Sequence, residues 1–146
     1  MSDRKVPRPH PSVLIDTPIW RSYLLKEERT FQEVNALMDA GRVCGLGLIV
    51  GELLNAAESE EEIKVLQNFT RVFPMLPESP EAWVQAARLA LQLRQRGKEI
   101  SLREGYLAHM AQAHGVLLYT PNKALRRAQK TLAGKLKFYP DRRKSE

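Results

Sequence analysis

Four oxygen-bearing side chains stand where they could share one piece of chemistry: Asp16, Glu52, Glu104 and Asn122. Asp16 directly follows the apolar run Val13-Leu14-Ile15, and Asn122 lies just past the apolar run 116–119. Glu104 opens the segment before that second run. Glu52 is the one charged residue in the apolar stretch GLIVGELLNAA. Burying a lone carboxylate costs several kcal/mol unless it is paired or meets a cation. Carboxylates that converge on one cleft repel each other, and a divalent ion relieves the repulsion. Hard oxygen donors without a cysteine set favour Mg²⁺ or Mn²⁺ over zinc. Such an ion can polarise a phosphodiester and lower the pKa of a bound water. Each residue also has a purely structural use. Asp16 and Asn122 are good helix N-caps. Glu104 fits the fourth position of a capping box that starts at Ser101. Glu52 fits as the partner of an Arg or Lys, because a lone buried Glu is rare.

The elements that must position these residues can be read along the chain. Residues 1–11 hold three prolines and read as an extended arm. The run 13–15 reads as a buried strand, followed by a helix with Thr17 at its N-cap and Pro18 at its first position. A second helix, with Phe31, Val34, Leu37 and Met38 inward, stops at Gly41. Residues 43–46 are a strand candidate and 47–57 a buried helix. Ser59-x-x-Glu62 opens another helix. Residues 72–76 are expected to form an edge strand, because Pro74 is poorly tolerated in a central one. Residues 80–97 form a long amphipathic helix with Trp83, Ala87, Leu89, Ala90 and Leu93 inward. The helix opened at Ser101 ends at Gly115, and 116–119 is the clearest strand. A basic helix follows over 123–132, and 136–139 is expected as a last strand. Strands alternating with helices imply an α/β chain with a parallel sheet covered on both faces. Function in such sheets sits beyond the carboxyl ends of the strands.

Composition narrows the class. The chain has 146 residues, 43% hydrophobic and 27% charged, which fits one folded domain and excludes wholesale disorder. The single cysteine, Cys44, excludes an intrachain disulfide framework and suits a cytoplasmic protein. It is expected to be buried and inert. No apolar run approaches the roughly 20 residues of a membrane span. Net charge is +6, and it is concentrated. Residues 121–146 carry nine Lys/Arg against Asp141 and Glu146, or +7, so the first 120 residues carry −1. A near-neutral body with a basic end suggests a polyanion such as nucleic acid, or else a solvated basic tail. Arg126 and Arg127 follow Asn122 within two turns, and Arg103 flanks Glu104. All three are candidates for phosphate contacts, which confer affinity without sequence choice. His10, His109 and His114 lack ligand spacing and read as surface or packing residues. Trp20 and Trp83 read as core or interface residues.

With these residues in view, the chain resembles the PIN-domain family, and within it the VapC-like toxins of toxin–antitoxin pairs. VLIDTPIWRSYL resembles the family's opening strand and Asp-Thr. GELLNA resembles its second motif, a Glu on a helix. ISLREGYLAHMAQAHGVLLYTPNKAL resembles its third and fourth motifs, with an acidic residue opening a helix, then Gly, an apolar strand and Thr. The likeness covers about residues 12–140. Individual motifs are short, and their order and spacing carry the match.

The resemblance implies a three-layer α/β/α sandwich with a central, mostly parallel sheet. Residues 12–140 would form one PIN-like domain, with the arm 1–11 before it and a basic tail, 141–146, after it. It implies a metal-dependent endoribonuclease in which Asp16, Glu52 and Glu104 are catalytic and Asp16, Glu104 and Asn122 hold Mg²⁺ or Mn²⁺. It also implies an RNA substrate, a small antitoxin partner, a homodimer and a cytoplasmic location, with no membrane. Two positions depart from the family pattern. Glu104 stands where Asp is usual, one methylene longer, and Asn122 stands where a fourth Asp is common. The alternative is therefore a weakened or inactive PIN-like module that binds RNA or a protein partner. A DNA-acting nuclease is a weaker third option.

Overall fold

A computed structural model describes residues 10–132 and 135–140. The first strand, β1 (Val13–Ile15), is the centre of the sheet. Its three side chains are fully buried, so both of its faces are covered and it shows no polar alternation. It pairs in parallel with β2 (Val43–Cys44) on one side and β3 (Leu117–Tyr119) on the other, in the order β2-β1-β3. In register, Val13 lies opposite Val43 and Leu117, and Ile15 lies opposite Tyr119.

Seven helices complete the described residues: α1 (Thr17–Leu24), α2 (Glu28–Asp39), α3 (Gly47–Asn55), α4 (Glu60–Thr70), α5 (Pro80–Gln95), α6 (Leu102–His114) and α7 (Lys123–Ala128). The parallel sheet between helices is the α/β arrangement expected from the alternation of apolar runs. Asp16, rather than Thr17, is the N-cap of α1, and its carboxylate accepts the Thr17 N–H at 2.7 Å. Ser59 caps α4 by accepting the Glu62 N–H. Gly115 ends α6 at φ +63°, a left-handed position that suits glycine.

The expected edge strand at 72–76 and last strand at 136–139 shrink to single bridges, Gly45 with Met75 and Leu118 with Phe138. Around the first, Gly45 N–H donates to the Pro74 carbonyl and Leu76 N–H donates to the Gly45 carbonyl. Pro74 has no N–H to extend that ladder, and Pro140 imposes the same limit beyond the second. The basic helix is also shorter than expected, ending at Ala128.

The core runs from the sheet outward. Trp20 is buried and meets Tyr23, Phe69 and Phe73 at ring distances of 5.3–5.7 Å, which ties α1 to α4. Cys44 is buried on β2, and burial pushes its thiol up to about 11. Trp83 departs from the expected core and is 39% exposed. The buried stripe of α5 is Ala82, Ala86, Ala90 and Leu93, because α6 approaches closely at Gly105. A Cβ on Gly105 would stand 2.7 Å from the Ala86 carbonyl oxygen. Trp83 lies flat against the Tyr106 ring at the margin, with ring centroids 3.7 Å apart. The extended arm lies outside the described residues except for its last two positions, and the tail 141–146 lies outside them entirely.

Candidate active site

The carboxyl ends of β1 and β3 place the first two polar residues. Asp16 continues the ladder one step past β1, its N–H donating to the Tyr119 carbonyl at 2.9 Å. That bond fixes its backbone, and its side chain is almost fully buried, at 1% exposure. One carboxylate oxygen accepts from Thr17 N–H and from Arg103 Nη2 at 2.8 Å. The other accepts the Thr120 hydroxyl at 2.7 Å. Thr120, one residue past β3, accepts the Asn122 N–H in turn at 3.1 Å.

Glu52 comes from the exposed side of the otherwise apolar α3. It meets Arg103 through both oxygens, Nε to Oε2 and Nη2 to Oε1, each at 2.6 Å, and it also accepts the Thr17 hydroxyl. This is the two-pronged geometry that suits guanidinium to carboxylate. The hydrogen bond from Arg103 outweighs partial burial, so the Glu52 carboxyl is held below its ordinary value, with help from Thr17 and Arg21. The same pairing pushes the Arg103 guanidinium further up, keeping it charged.

Glu104 stands in the first turn of α6, and its side chain has other partners. One oxygen accepts Ser101 N–H at 2.8 Å, while Ser101 Oγ accepts Glu104 N–H at 3.1 Å. This is the reciprocal capping box expected from the sequence. The other oxygen accepts the Asn122 amide at 2.6 Å. Burial works to raise this carboxyl, but the Ser101 backbone and the Asn122 amide outweigh it and hold it low. Asn122 caps α7, its side-chain oxygen accepting Leu125 N–H at 2.9 Å.

The structural alternatives open for Asp16, Glu104 and Asn122 as caps, and for Glu52 as an arginine partner, are therefore all present. Asp16 and Glu52 are brought together across one guanidinium, while Glu104 reaches Asp16 only through Asn122 and Thr120. Arg103, a candidate for phosphate contact, here pairs with two carboxylates. Its guanidinium turns inward, because two carboxylates in a partly closed cleft outcompete water for its donors. Arg126 and Arg127 are exposed on α7, and Arg126 lies over the Phe138 ring at 4.6 Å. Thr17 and Thr120, which link the carboxylates through their hydroxyls, were not among the expected site residues.

Mg²⁺ requires oxygen ligands at about 2.0–2.1 Å in near-octahedral array. Here the space between Asp16 and Glu52 holds guanidinium hydrogens, and the Glu104 oxygens already accept two N–H groups. Among the described residues no three His, Cys, Asp or Glu groups are placed to hold a metal. No buried polar side-chain atom among them lacks a partner. The donor set as arranged does not fit a divalent ion. The cleft is instead an acidic site bridged by an arginine, open to solvent through a groove lined by Thr17, Pro18, Arg21, Glu52, Asn55 and Arg103.

Comparison with known proteins places this arrangement. No curated protein matches the chain in sequence. Among solved structures, VapBC2 from Rickettsia felis, bound to a DNA fragment from its promoter, is similar, with a TM-score of 0.64 and 16% identity, over 86% of this chain and 96% of that one. DNA-bound VapBC from Salmonella typhimurium gives a TM-score of 0.67 at 18% identity, over 80% and 92%. VapBC-5 from Mycobacterium tuberculosis, of the VapBC family of toxin–antitoxin systems, gives 0.56 at 17% identity, over 88% and 98%. These likenesses show the fold. The family model for the PIN domain matches residues 13–131, a span from β1 through α7 that contains every residue of the cleft. On that match, the chain belongs to the PIN domain family.

Proposed function

We propose that this protein is the nuclease component of a toxin–antitoxin pair, hydrolysing RNA phosphodiesters at the cleft of Asp16, Glu52 and Glu104. The observation that carries this reading is the gathering of three carboxylates, 36 and 52 residues apart along the chain, into one hydrogen-bonded network beyond the carboxyl ends of β1 and β3. Asp16 is its rigid member, held by the sheet ladder and three side-chain bonds. Arg126 and Arg127, exposed on α7 just past Asn122, supply positive charge for an RNA backbone. Mg²⁺ or Mn²⁺ is the cofactor that the family likeness suggests. Because the ion does not fit the cleft as arranged, the ribonuclease reading concerns a conformation in which Arg103 has left Asp16 and Glu52. A small antitoxin as partner, a homodimer and a cytoplasmic location belong to the same proposal. The antitoxin is supported by the toxin–antitoxin systems among the similar structures.

A second reading is a PIN-like module that binds RNA or a protein without cleaving. It is favoured by the guanidinium between Asp16 and Glu52 and by the amide of Asn122 on Glu104. Incubation with structured RNAs in Mg²⁺ or Mn²⁺ separates the two. The nuclease reading expects cleavage by the wild type and its loss in Asp16→Asn. Binding of RNA without cleavage by either protein establishes the second reading instead.

A further inference from the structure

We infer that Arg103 is the resident cation of the acidic cleft, so that its guanidinium and a divalent ion compete for the same two carboxylates, Asp16 and Glu52. The geometry is that of an occupied cation site. One guanidinium makes four contacts, with Glu52 Oε2 and Oε1, Asp16 Oδ1 and Thr17 Oγ1, at 2.6, 2.6, 2.8 and 3.3 Å. Asp16 and Glu52 together carry two negative charges, and Arg103 supplies one positive charge at contact distance. A divalent ion needs the same oxygens at shorter range, and two cations held within a few ångströms in a partly desolvated cleft repel strongly. Arg21 lies close enough to lower the Glu52 carboxyl and adds to that repulsion.

The first turn of α6 is fixed on one side by the Ser101–Glu104 capping box and on the other by the close packing of Gly105 on Ala86. Arg103 itself is 31% exposed at its side chain, and Glu52 30%, at the mouth of the groove lined by Pro18, Arg21 and Asn55. For a divalent ion to take these oxygens, the guanidinium would have to leave them, and the groove is the solvent-facing side on which it could do so. Arg103 thus occupies the cation position of the cleft, bridging both carboxylates and offsetting one of their two negative charges. The inference concerns cation binding alone and does not depend on RNA cleavage.

Titration of the full-length protein with Mn²⁺ by calorimetry tests it. Arg103→Met is expected to bind one Mn²⁺ at least tenfold more tightly than wild type, and Asp16→Asn in the Arg103→Met background is expected to remove that gain. Arg103→Lys keeps the charge but loses the fork, and is expected to fall between wild type and Arg103→Met. It is the variant to measure if Arg103→Met does not fold. Equal Mn²⁺ affinity in wild type and the folded variants overturns the inference, as does a gain that survives Asp16→Asn. Wild type gives an independent check by Mg²⁺ titration in NMR. Shifts of the Thr17 amide with an unchanged Arg103 Nε–H resonance would mean that ion and guanidinium coexist, against the inference. Failure of RNA cleavage leaves this result standing and removes only the nuclease reading.

Discussion

The helix α6 serves two regions that are held by different physics. Its body packs most extensively against α5, where small side chains bring the backbones together. Gly105 lies against the Ala86 carbonyl, and Trp83 stacks on Tyr106 at an angle of 8°. Its first turn faces the cleft, where Arg103 and Glu104 reach partners 18 to 87 residues away through long, directional side chains. The seam is close-packed and admits one arrangement. The cleft is a set of charge-assisted bonds between long side chains, two of which, Arg103 and Glu52, are partly open to water. One helix thus joins a seam held by backbone-close packing to a cleft held by side-chain charge.

The largest effect is expected from breaking the seam. Gly105→Val forces a branched side chain onto the Ala86 backbone, and overpacking of this kind should cost about 3 kcal/mol. Urea unfolding checks it, with a lower midpoint and an unchanged m-value. A smaller cost, about 1–2 kcal/mol, is expected for Arg103→Met, because its pair with Glu52 is partly open to water and the buried Asp16 keeps its bonds from Thr17 and Thr120. If Arg103→Met destabilises as much as Gly105→Val in the same experiment, the cleft is as rigid as the seam and the contrast fails. The smallest effect is in the pH dependence. The Glu52 carboxyl is held below its ordinary value near 4.5, chiefly by Arg103. A depressed folded value adds stability that is present above the ordinary value and lost as pH falls through the folded one. Stability measured from about pH 6 down to about pH 3 should therefore fall less steeply in Arg103→Met than in wild type, while Gly105→Val keeps the wild-type slope.

The seam and the sheet were legible from local pattern. The fully apolar runs at 13–15 and 117–119, the Ser101 capping box and the Gly115 stop each specify their element within a few residues. Of the two places expected for Trp83, the core is excluded, because α6 comes too close to α5 there to admit an indole, which helical spacing alone does not show. The strands expected at 72–76 and 136–139 are single bridges, because the prolines that mark them as marginal also withhold the N–H groups a longer ladder needs. In the cleft, Asp16 and Asn122 could be found from their places after apolar runs, Glu104 from opening a helix, and Glu52 as the one charge on an apolar helix. Arg103 could not be assigned its partners, since they lie 51 and 87 residues away and nothing near it marks an inward arginine. The available signal was indirect: Glu52 on an apolar helix calls for a cation, and Arg103 stands beside the next acidic candidate.

Glu104 has a consequence of its own. One of its oxygens holds the Ser101 backbone and the other the Asn122 amide, so a single side chain yokes the starts of α6 and α7. Neither start can be displaced independently without breaking one of those bonds. The turn that bears the inward arginine and the helix that presents Arg126 and Arg127 to solvent are thus mechanically joined, and the longer reach of glutamate over aspartate spans the gap between them.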